Sequence, residues 1–340
     1  MNVVSLGKHD KNYIWLLSNE INALLKCEIS TGKVNVEKIF DEKETFSSLI
    51  EVAEKVYLAP DKGEKFAVYD IKRKTYKNLS LKEDMSGIKI KKFGKAYVYQ
   101  DEVIFLGIGY PGVAIINMVT DRVTLYNLGK KYIKNDDVRY LGREGVIKNH
   151  MLYVPIFNSG TVISFDLVNK KIGYEMTGDE AYASIAEFGD KYYLTPVDNS
   201  KITIFDKKIN IIKHLDIGEC EGALQIYGGY VVNNILAFMP INAKMIMCYN
   251  DMSDGCGTYS REKELDYVPY YSYIDEIDGV IFASSNKRQV IDIWNIETLT
   301  IETKVLKPQK ELIEHKINTD GMINESKDFV IANYIEYLQA

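Results

Sequence analysis

The sequence predicts an all-β fold made of seven repeated units, and two observations lead to that prediction. One phrase recurs along the 340 residues: an apolar run, a bulky residue, then Asp, Asn or Glu, then a polar turn. We call the acidic or amide residue that ends the run its anchor. The anchors are Glu28, Asp70, Asn117, Asp166, Asp206, Asn250 and Asn295. Their intervals of 42, 47, 49, 40, 44 and 45 residues match the length of a four-stranded propeller blade.

The second observation is that the repeat holds column by column. The residues four before and one before each anchor are apolar or aromatic in all seven copies. Because these two positions lie on opposite faces of a strand, the strand that ends at the anchor has both faces buried. The polar turn after it leads into an outer strand. We expect the anchor side chain to accept hydrogen bonds from backbone N–H groups of that turn.

A proline column lies upstream of the anchors. Pro60, Pro155, Pro196 and Pro240 stand 10 or 11 residues before an anchor, and Leu17, Gly107 and Ser284 take that place in the other copies. Proline cannot donate to a β-ladder, so the column marks where the second strand of each unit ends. Fourteen residues earlier, an apolar or aromatic residue is predicted to open the innermost strand. These residues are Phe46, Phe93, Leu141, Tyr182, Ile226 and Tyr270.

Together these columns predict a seven-bladed β-propeller over residues 1–308. The blades span about 1–40, 46–81, 93–128, 141–177, 182–217, 222–265 and 270–307. The turn phrase, as in KFAVYDIKR around Asp70 and TVISFDLVN around Asp166, resembles the Tyr/Phe-Asp turns of quinoprotein-like and YVTN-type repeats. The Gly-His pair and the Trp-Asp ending of true WD-type repeats do not recur. The resemblance therefore implies a fold, and it implies neither an activity nor a WD-type adaptor role.

The segment 309–340 leaves the repeat pattern. Phe329, Val330, Tyr334, Tyr337 and Leu338 are spaced as on one face of a helix, and Ser326 is a suitable cap. This predicts a short C-terminal helical tail packed on the propeller. The alternative is that the stretch DFVIANY adds a strand that closes the ring against residues 1–8.

Composition limits the classes of function. The chain is 46% hydrophobic and 26% charged, as in folded soluble proteins, and its net charge of −6 argues against nucleic-acid and membrane partners. No leader peptide and no apolar span of membrane length is recognisable. The four cysteines, Cys27, Cys220, Cys248 and Cys256, lack metal-ligand spacing, and we expect Cys27 and Cys248 to be buried free thiols. These features favour a cytoplasmic monomer.

Four local motifs suggest chemistry that their context does not support. Gly107–Gly112 matches a dinucleotide-binding fingerprint, but a strand follows it where a helix is required, so a hairpin loop is expected. The stretch NDMSDG at 250–255 lacks the ligand spacing of a calcium loop. The basic run IKIKKFGK at 88–95 is interpreted as a solvated loop between blades. The four histidines fall in separate places, which weakens the case for histidine-dependent catalysis.

The candidate binding surface is the set of loops that converge around the propeller axis, where propellers commonly bind ligands. The longest, residues 129–144, has the length of a lid or contact loop. The predicted binding residues combine carboxylates with aromatic rings: Tyr132, Asp136, Asp137, Arg139, Tyr140, Asp179, Glu180, Tyr182, Glu219, Glu221, Asp266, Tyr267 and Tyr270.

The favoured function is a binding or interaction module for a protein or a small polar ligand, with no catalytic residues, metal or cofactor predicted. The alternative is a propeller enzyme of the lactonase or sugar hydrolase type, in which the loop carboxylates hold a divalent metal.

Overall fold

The computed structural model describes residues 1–41, 43–79, 81, 93–128, 139–157, 159–178, 180–197, 201–206, 210–216, 226–241, 247–249, 258–259, 270–298 and 300–308. These residues form strands and turns and contain no helix. No described helix could therefore span a membrane. The predicted helical tail and its strand alternative lie outside the described residues, as do Cys220, Cys256 and the stretch NDMSDG.

Seven antiparallel sheets of four consecutive strands make up the fold. Blades one to three contain β1 (Val3–Lys8), β2 (Tyr13–Ser18), β3 (Ala23–Glu28), β4 (Lys33–Ile39), β5 (Phe46–Val52), β6 (Lys55–Pro60), β7 (Phe66–Asp70), β8 (Thr75–Leu79), β9 (Phe93–Tyr99), β10 (Glu102–Gly107), β11 (Gly112–Asn117) and β12 (Arg122–Asn127). Blades four and five contain β13 (Val146–Lys148), β14 (Met151–Pro155), β15 (Thr161–Asp166), β16 (Lys171–Thr177), β17 (Tyr182–Phe188), β18 (Lys191–Pro196), β19 (Lys201–Phe205) and β20 (Ile211–Asp216). Blades six and seven contain β21 (Ile226–Val232), β22 (Ile235–Pro240), β23 (Met247–Tyr249), β24 (Thr258–Tyr259), β25 (Tyr271–Ile277), β26 (Val280–Ser285), β27 (Val290–Asn295) and β28 (Thr300–Val305), and β29 (Lys307–Pro308) follows them.

The sheets form a closed ring. Seven apolar clusters are buried, and each combines side chains from two neighbouring blades, including one cluster shared by blades one and seven. Seven blades with seven shared interfaces leave no free end to the ring. The first strands of neighbouring blades contact one another, as β1 contacts both β5 and β25, so these strands lie innermost around the axis. The fold predicted from the repeat is confirmed.

Ring closure uses both ends of the described chain. At the start of β1, the backbone N–H of Val3 donates to Asn286 Oδ1 of blade seven at 2.9 Å. After blade seven the chain crosses to blade one, where β29 pairs in parallel with the outer strand β4. The N–H of Lys307 donates to the carbonyl oxygen of Gly32 at 2.9 Å. Blade one thus consists of N-terminal residues with a short fifth strand added from the C-terminal side.

Most of the described anchor turns form as predicted; Glu28 is the exception, because its carboxylate accepts from the Thr31 hydroxyl. Asp166 Oδ1 accepts from the N–H groups of Val168 and Asn169 at 2.8 and 2.9 Å, and Asp70, Asn117 and Asn295 make equivalent bonds. These backbone donors would otherwise lack a partner in the tight turn, which explains why an oxygen-bearing side chain recurs there. The four column prolines each end the second strand of a blade.

The register of the innermost strands follows the prediction in four blades and departs from it elsewhere. Phe46, Phe93, Tyr182 and Ile226 lie opposite Pro60, Gly107, Pro196 and Pro240. In blades one and seven the column residues are Ser18 and Ser285, not Leu17 and Ser284, so Tyr271 and not Tyr270 opens β25. In blade four, Leu141 forms only an isolated bridge to Ile156, because the segment holding Gly142 and Gly145 interrupts the ladder before Val146.

Other local expectations have clear outcomes. Cys27 and Cys248 are buried and form no disulfide, and burial raises the pKa of Cys27 to about 12. Gly107 and Gly112 flank a hairpin loop between β10 and β11. The solvated-loop interpretation of IKIKKFGK is wrong for its last three residues: Phe93, Gly94 and Lys95 lie in β9, where Phe93 is buried and the side chain of Lys95 is only 15% exposed.

Candidate functional site

The axis of the ring holds a buried ionic bridge. Lys95 of β9 donates its ammonium to Asp275 Oδ1 of β25, and both side chains are only 15% exposed. Lys95 belongs to blade three and Asp275 to blade seven. Blades four, five and six separate them in one direction around the ring and blades one and two in the other, so the contact crosses the axis. A carboxylate of blade four completes the group, with Glu144 Oε2 lying 3.8 Å from Lys95 Nζ.

Glu144 is held by tyrosines from two other blades. Its Oε1 accepts from the Tyr230 hydroxyl of β21 at 2.9 Å, and its Oε2 lies 3.4 Å from the Tyr97 hydroxyl of β9. Tyr97 is fixed in turn, because its hydroxyl accepts from the backbone N–H of Gly145 at 2.7 Å. The break in the blade-four ladder thus places Glu144 on the axis, where it is only 6% exposed.

Burial and charge oppose each other in this bridge. Burial alone would lower the pKa of Lys95, but the carboxylates of Asp275 and Glu144 more than offset it and hold that pKa well above 10.5. For Glu144 burial dominates: it raises the pKa from its usual 4.5 to about 7, although Lys95 opposes the rise. The bridge therefore contains a permanent cation and one carboxyl group that titrates near neutral pH.

Two cavities adjoin the bridge, and Lys95 lines both. The first, which we call the axial cavity, has a volume of about 220 Å³ and lies toward the beginnings of the innermost strands. Its described lining is Gly94, Lys95, Ile108, Arg139, Arg143, Tyr227, Ile241, Tyr271, Ser272 and Tyr273. The second, of about 350 Å³, lies toward the ends of those strands and is lined by acidic groups including Glu187 and Glu276. The bridge lies between the axial cavity, whose described lining carries cationic groups, and the second cavity, which carries acidic groups.

Two arginines give the axial cavity its charge. Arg143 Nη1 donates to the carbonyl oxygen of Ile226 at 3.1 Å, and its guanidinium lies 5.7 Å from the ring centre of Tyr227. Arg139 and Arg143 also lie 5.4 and 5.6 Å from the ring centre of Phe157. Burial, with the neighbouring charge of Arg143, lowers the pKa of Arg139 to about 10. Both groups stay cationic at neutral pH, and the aromatic rings restrict where they point.

The structure brings only some of the predicted binding residues to this site. Arg139 lines the axial cavity, and its neighbour Tyr140 is partly buried with its N–H bonded to the Ile108 carbonyl at 2.8 Å. Glu180 is partly buried outside the described lining. Tyr182 lies fully buried in the apolar core between blades four and five, not on a loop surface. Tyr270 is 48% exposed, with Lys287 Nζ lying 3.7 Å from its ring centre.

The remaining predicted site residues lie outside the described part of the chain. They are Tyr132, Asp136, Asp137, Asp179, Glu219, Glu221, Asp266 and Tyr267. Most of the carboxylates proposed for the metal-dependent enzyme are among them, so that alternative stays a prediction. Among the described residues, no three His, Cys, Asp or Glu side chains converge as metal ligands would.

Sequence reasoning missed most of the axial residues. Lys95 belonged to a basic run, and Arg143 and Glu144 belonged to the long loop without being selected. Tyr227, Tyr230, Tyr273 and Asp275 stand in innermost strands that were interpreted only as structure. A signal was available at Lys95, which stands between Gly94 and Ala96 in a strand that begins with a buried Phe93, because a charged residue in such a strand needs a partner of opposite charge.

Comparison with known proteins shows the fold. No protein-family profile matches the sequence, and no curated protein matches it. Among solved structures, a catalytically inactive virginiamycin B lyase from Staphylococcus aureus with quinupristin has a TM-score of 0.63 at 13% identity, over 84% of this chain and 92% of that one. A streptogramin B lyase gives 0.61 at 13% identity, over 84% and 90%.

BamB from Moraxella catarrhalis gives a TM-score of 0.58 at 11% identity, over 83% of this chain and 80% of that one. Identities this low carry no activity across. The structural similarities agree with the seven-bladed architecture and with the resemblance to quinoprotein-like and YVTN-type repeats. The chain is a seven-bladed β-propeller whose axis carries a buried ionic bridge between two cavities.

Proposed function

We propose that the protein is a binding module and that the axial cavity holds its ligand, a small polar molecule. The observation that carries the proposal is a concave site on the ring axis lined by polar side chains from several blades. The cavity has a volume of about 220 Å³. That volume suits a small molecule better than a folded protein segment.

Some side chains that line the axial cavity are already held in place by hydrogen bonds within the protein. Tyr271 is fixed by its hydroxyl, which donates to the buried Asp292 at 2.9 Å, so it offers the cavity a ring held in place. Arg143 is fixed by Ile226. Groups that are already ordered lose little conformational entropy when a ligand binds, which raises affinity for a given set of contacts. The similar propellers include a streptogramin B lyase, so the fold is compatible with an enzyme as well as with a binding module.

A pair of blocking variants tests the proposal. Ile241 lines the axial cavity, whereas Val98 lies at the far end of β9 and is 43% exposed. Ile241→Trp should fill the cavity, and Val98→Trp adds the same bulk elsewhere. A library of small polar compounds would be screened against the full chain by ligand-observed NMR. We expect compounds that bind the unaltered protein and Val98→Trp to lose binding to Ile241→Trp.

Two results would refute the proposal. Compounds that bind Ile241→Trp as well as the unaltered protein would place their site elsewhere. A complete absence of binders to a folded protein would remove the small-molecule role itself. Turnover of a bound compound, abolished by Ile241→Trp, would instead assign the same cavity to an enzyme.

A further inference from the structure

One guanidinium group at the axial cavity has no acceptor among the described residues. Arg139 lines the cavity and is partly buried. Its guanidinium carbon lies 5.4 Å from the ring centre of Phe157, and no oxygen of a described residue accepts a hydrogen bond from it. A guanidinium group carries five N–H donors, and such donors at a partly buried site are normally paired. The donors of Arg139 are therefore available to a ligand that brings an acceptor.

The other two cationic groups of the cavity are engaged within the protein. The ammonium of Lys95 is held by Asp275 and Glu144 on the side of the bridge. Arg143 donates to the carbonyl oxygen of Ile226 at 3.1 Å. No Asp or Glu is among the described lining residues, so no acidic group of that lining neutralises a ligand-facing cation. We therefore count one positive charge toward a ligand, that of Arg139.

A single available guanidinium group suits a singly charged carboxylate. Its planar fork of N–H donors matches the two oxygens of one carboxylate. With a pKa lowered only to about 10, Arg139 keeps its proton at neutral pH. A dianion such as a phosphate monoester would bring a second negative charge out of water without a second available cation to meet it, and the lost hydration makes that unfavourable.

The rest of the lining suits an aromatic ring. The rings of Tyr227 and Tyr273 have centres 6.3 Å apart and an interplanar angle of 65°. Tyr271, Ile108 and Ile241 add further aromatic and aliphatic surface to the same cavity. A flat apolar ring packs well against tyrosines in edge-to-face or offset arrangements.

We propose that the axial cavity binds an aromatic monocarboxylate, with its carboxylate held by Arg139 and its ring packed against the tyrosines. The proposal depends on the charge of Arg139 alone and on ring surface that the tyrosines present to the cavity. It rests on the proposed function, because it names the ligand class of the same site.

The test compares probes of nearly the same shape and different charge. Benzoate, benzamide and benzamidine are flat molecules with an anionic, a neutral and a cationic end. Acetate keeps the carboxylate without the ring, and phenyl phosphate keeps the ring with a dianion. Binding to the full chain would be measured by calorimetry at constant ionic strength. We expect benzoate to bind at least about tenfold more tightly than each of the other four, because only benzoate matches both the single charge and the ring.

Matched variants locate the carboxylate. Arg139→Gln should weaken benzoate binding by about tenfold or more and leave benzamide binding unchanged, because it removes a charge-assisted bidentate contact. Arg139→Lys keeps the charge without the fork, so its affinity for benzoate should fall between the two. Arg73→Gln is the control, since Arg73 lies on an outer turn with a side chain 79% exposed. Circular dichroism melting of each variant shows whether it is folded.

The outcomes separate this inference from the proposed function. Equal affinity of Arg139→Gln and the unaltered protein for benzoate would overturn the inference, as would tighter binding of phenyl phosphate than of benzoate. If Arg139→Gln does not fold, Arg139→Lys decides in the same way. Binding of benzamide, lost in Ile241→Trp, without binding of benzoate would overturn the inference and leave the proposed function standing. If no polar compound binds the folded protein at all, both fail together.

Discussion

Glu144 is a carboxyl group enclosed on the axis of the ring. It is 6% exposed, accepts a hydrogen bond from Tyr230, and lies near Lys95, Tyr97 and Asp275. Its pKa is raised from 4.5 to about 7, first by burial and then by the like charge of Asp275. The folded protein therefore binds a proton at Glu144 over a pH range where the unfolded chain has lost it. That difference makes stability depend on pH.

The sign follows from the direction of the shift. A raised pKa gives stability that is fully present below about pH 4.5 and is lost as the pH rises through about 7. Glu144→Gln mimics the protonated form at every pH. From pH 5 to pH 8 the free energy of unfolding of Glu144→Gln should therefore rise relative to the unaltered protein by roughly 1–3 kcal/mol. Urea unfolding at several pH values measures this, with the exposed Glu64→Gln as control; a difference that stays constant with pH would contradict it.

Prediction from sequence reached only part of the axial site. Arg139 was selected because it lies in a long loop with aromatic neighbours, and it does line the axial cavity. Lys95 was missed because a run of lysines resembles a solvated segment. Its burial depends on Asp275, which lies 180 residues away in sequence. Contacts across the axis exist only in the closed ring, so no local pattern could have paired these residues.

At the scale of strands and turns the sequence was far more informative. The anchor turns depend on hydrogen bonds between residues two or three apart, such as Asp166 and Val168. A short stretch of sequence is therefore enough to predict them. The proline column likewise reports a property of single residues. Blade four is the exception: its innermost strand is broken before Val146, and that break depends on a bond from Gly145 to Tyr97 of the neighbouring blade.

One turn position has a different role in each of two blades. Gly32 and Lys170 both stand four residues after an anchor, with φ of +73° and +58°. At Lys170 the chain tolerates a side chain in the left-handed region. At Gly32 a Cβ atom would lie 2.3 Å from the carbonyl oxygen of Val305, where the chain crosses from blade seven to blade one. The glycine is therefore required by ring closure and not by the turn alone.

This difference predicts a large loss of stability from a substitution at Gly32 and a small one from a substitution at Lys170. Gly32→Ala should lower the free energy of unfolding by about 2–4 kcal/mol, because it adds backbone strain and displaces the crossing strand. Lys170→Gly also removes the ion pair with Glu102 and should lower it by only about 1 kcal/mol, since relief of the strain at positive φ offsets the greater freedom of glycine in the unfolded chain. Guanidinium unfolding of both variants provides the measurement. Equal losses would show that Gly32 serves only the turn.

At the scale of the whole molecule, the repeat length predicted one ring where chain length alone was equally consistent with two domains. The sequence left open whether the segment after residue 308 forms a helical tail packed on the propeller or a strand that closes the ring. In the described part of the chain, closure combines the apolar cluster shared by blades one and seven with the bonds of Val3 and Lys307. These contacts join residues at opposite ends of the sequence, and no repeat column specifies them.

The bridge across the axis couples blades three and seven, which share no apolar cluster among the described residues. Lys95 and Asp275 connect blades three and seven, and Glu144 brings in blade four. A buried ion pair gives little net stability when it replaces apolar packing, because both charges lose their hydration. Removing one partner has a different effect, since the remaining charge is left buried without compensation. The bridge should therefore be more sensitive to single substitutions than to complete replacement.

Lys95→Met tests this sensitivity. It leaves Asp275 and Glu144 buried beside each other, and the free energy of unfolding should fall by about 3–5 kcal/mol. The triple variant Lys95→Met, Glu144→Gln, Asp275→Asn removes all three charges and should recover most of that loss. Lys8→Met is the control, because Lys8 and Asp278 form an ion pair with side chains 56% and 59% exposed, and an exposed pair contributes at most about 1 kcal/mol. If the triple variant is no more stable than Lys95→Met, unpaired charge is not the cause of the loss, and the bridge acts mainly through packing along the axis.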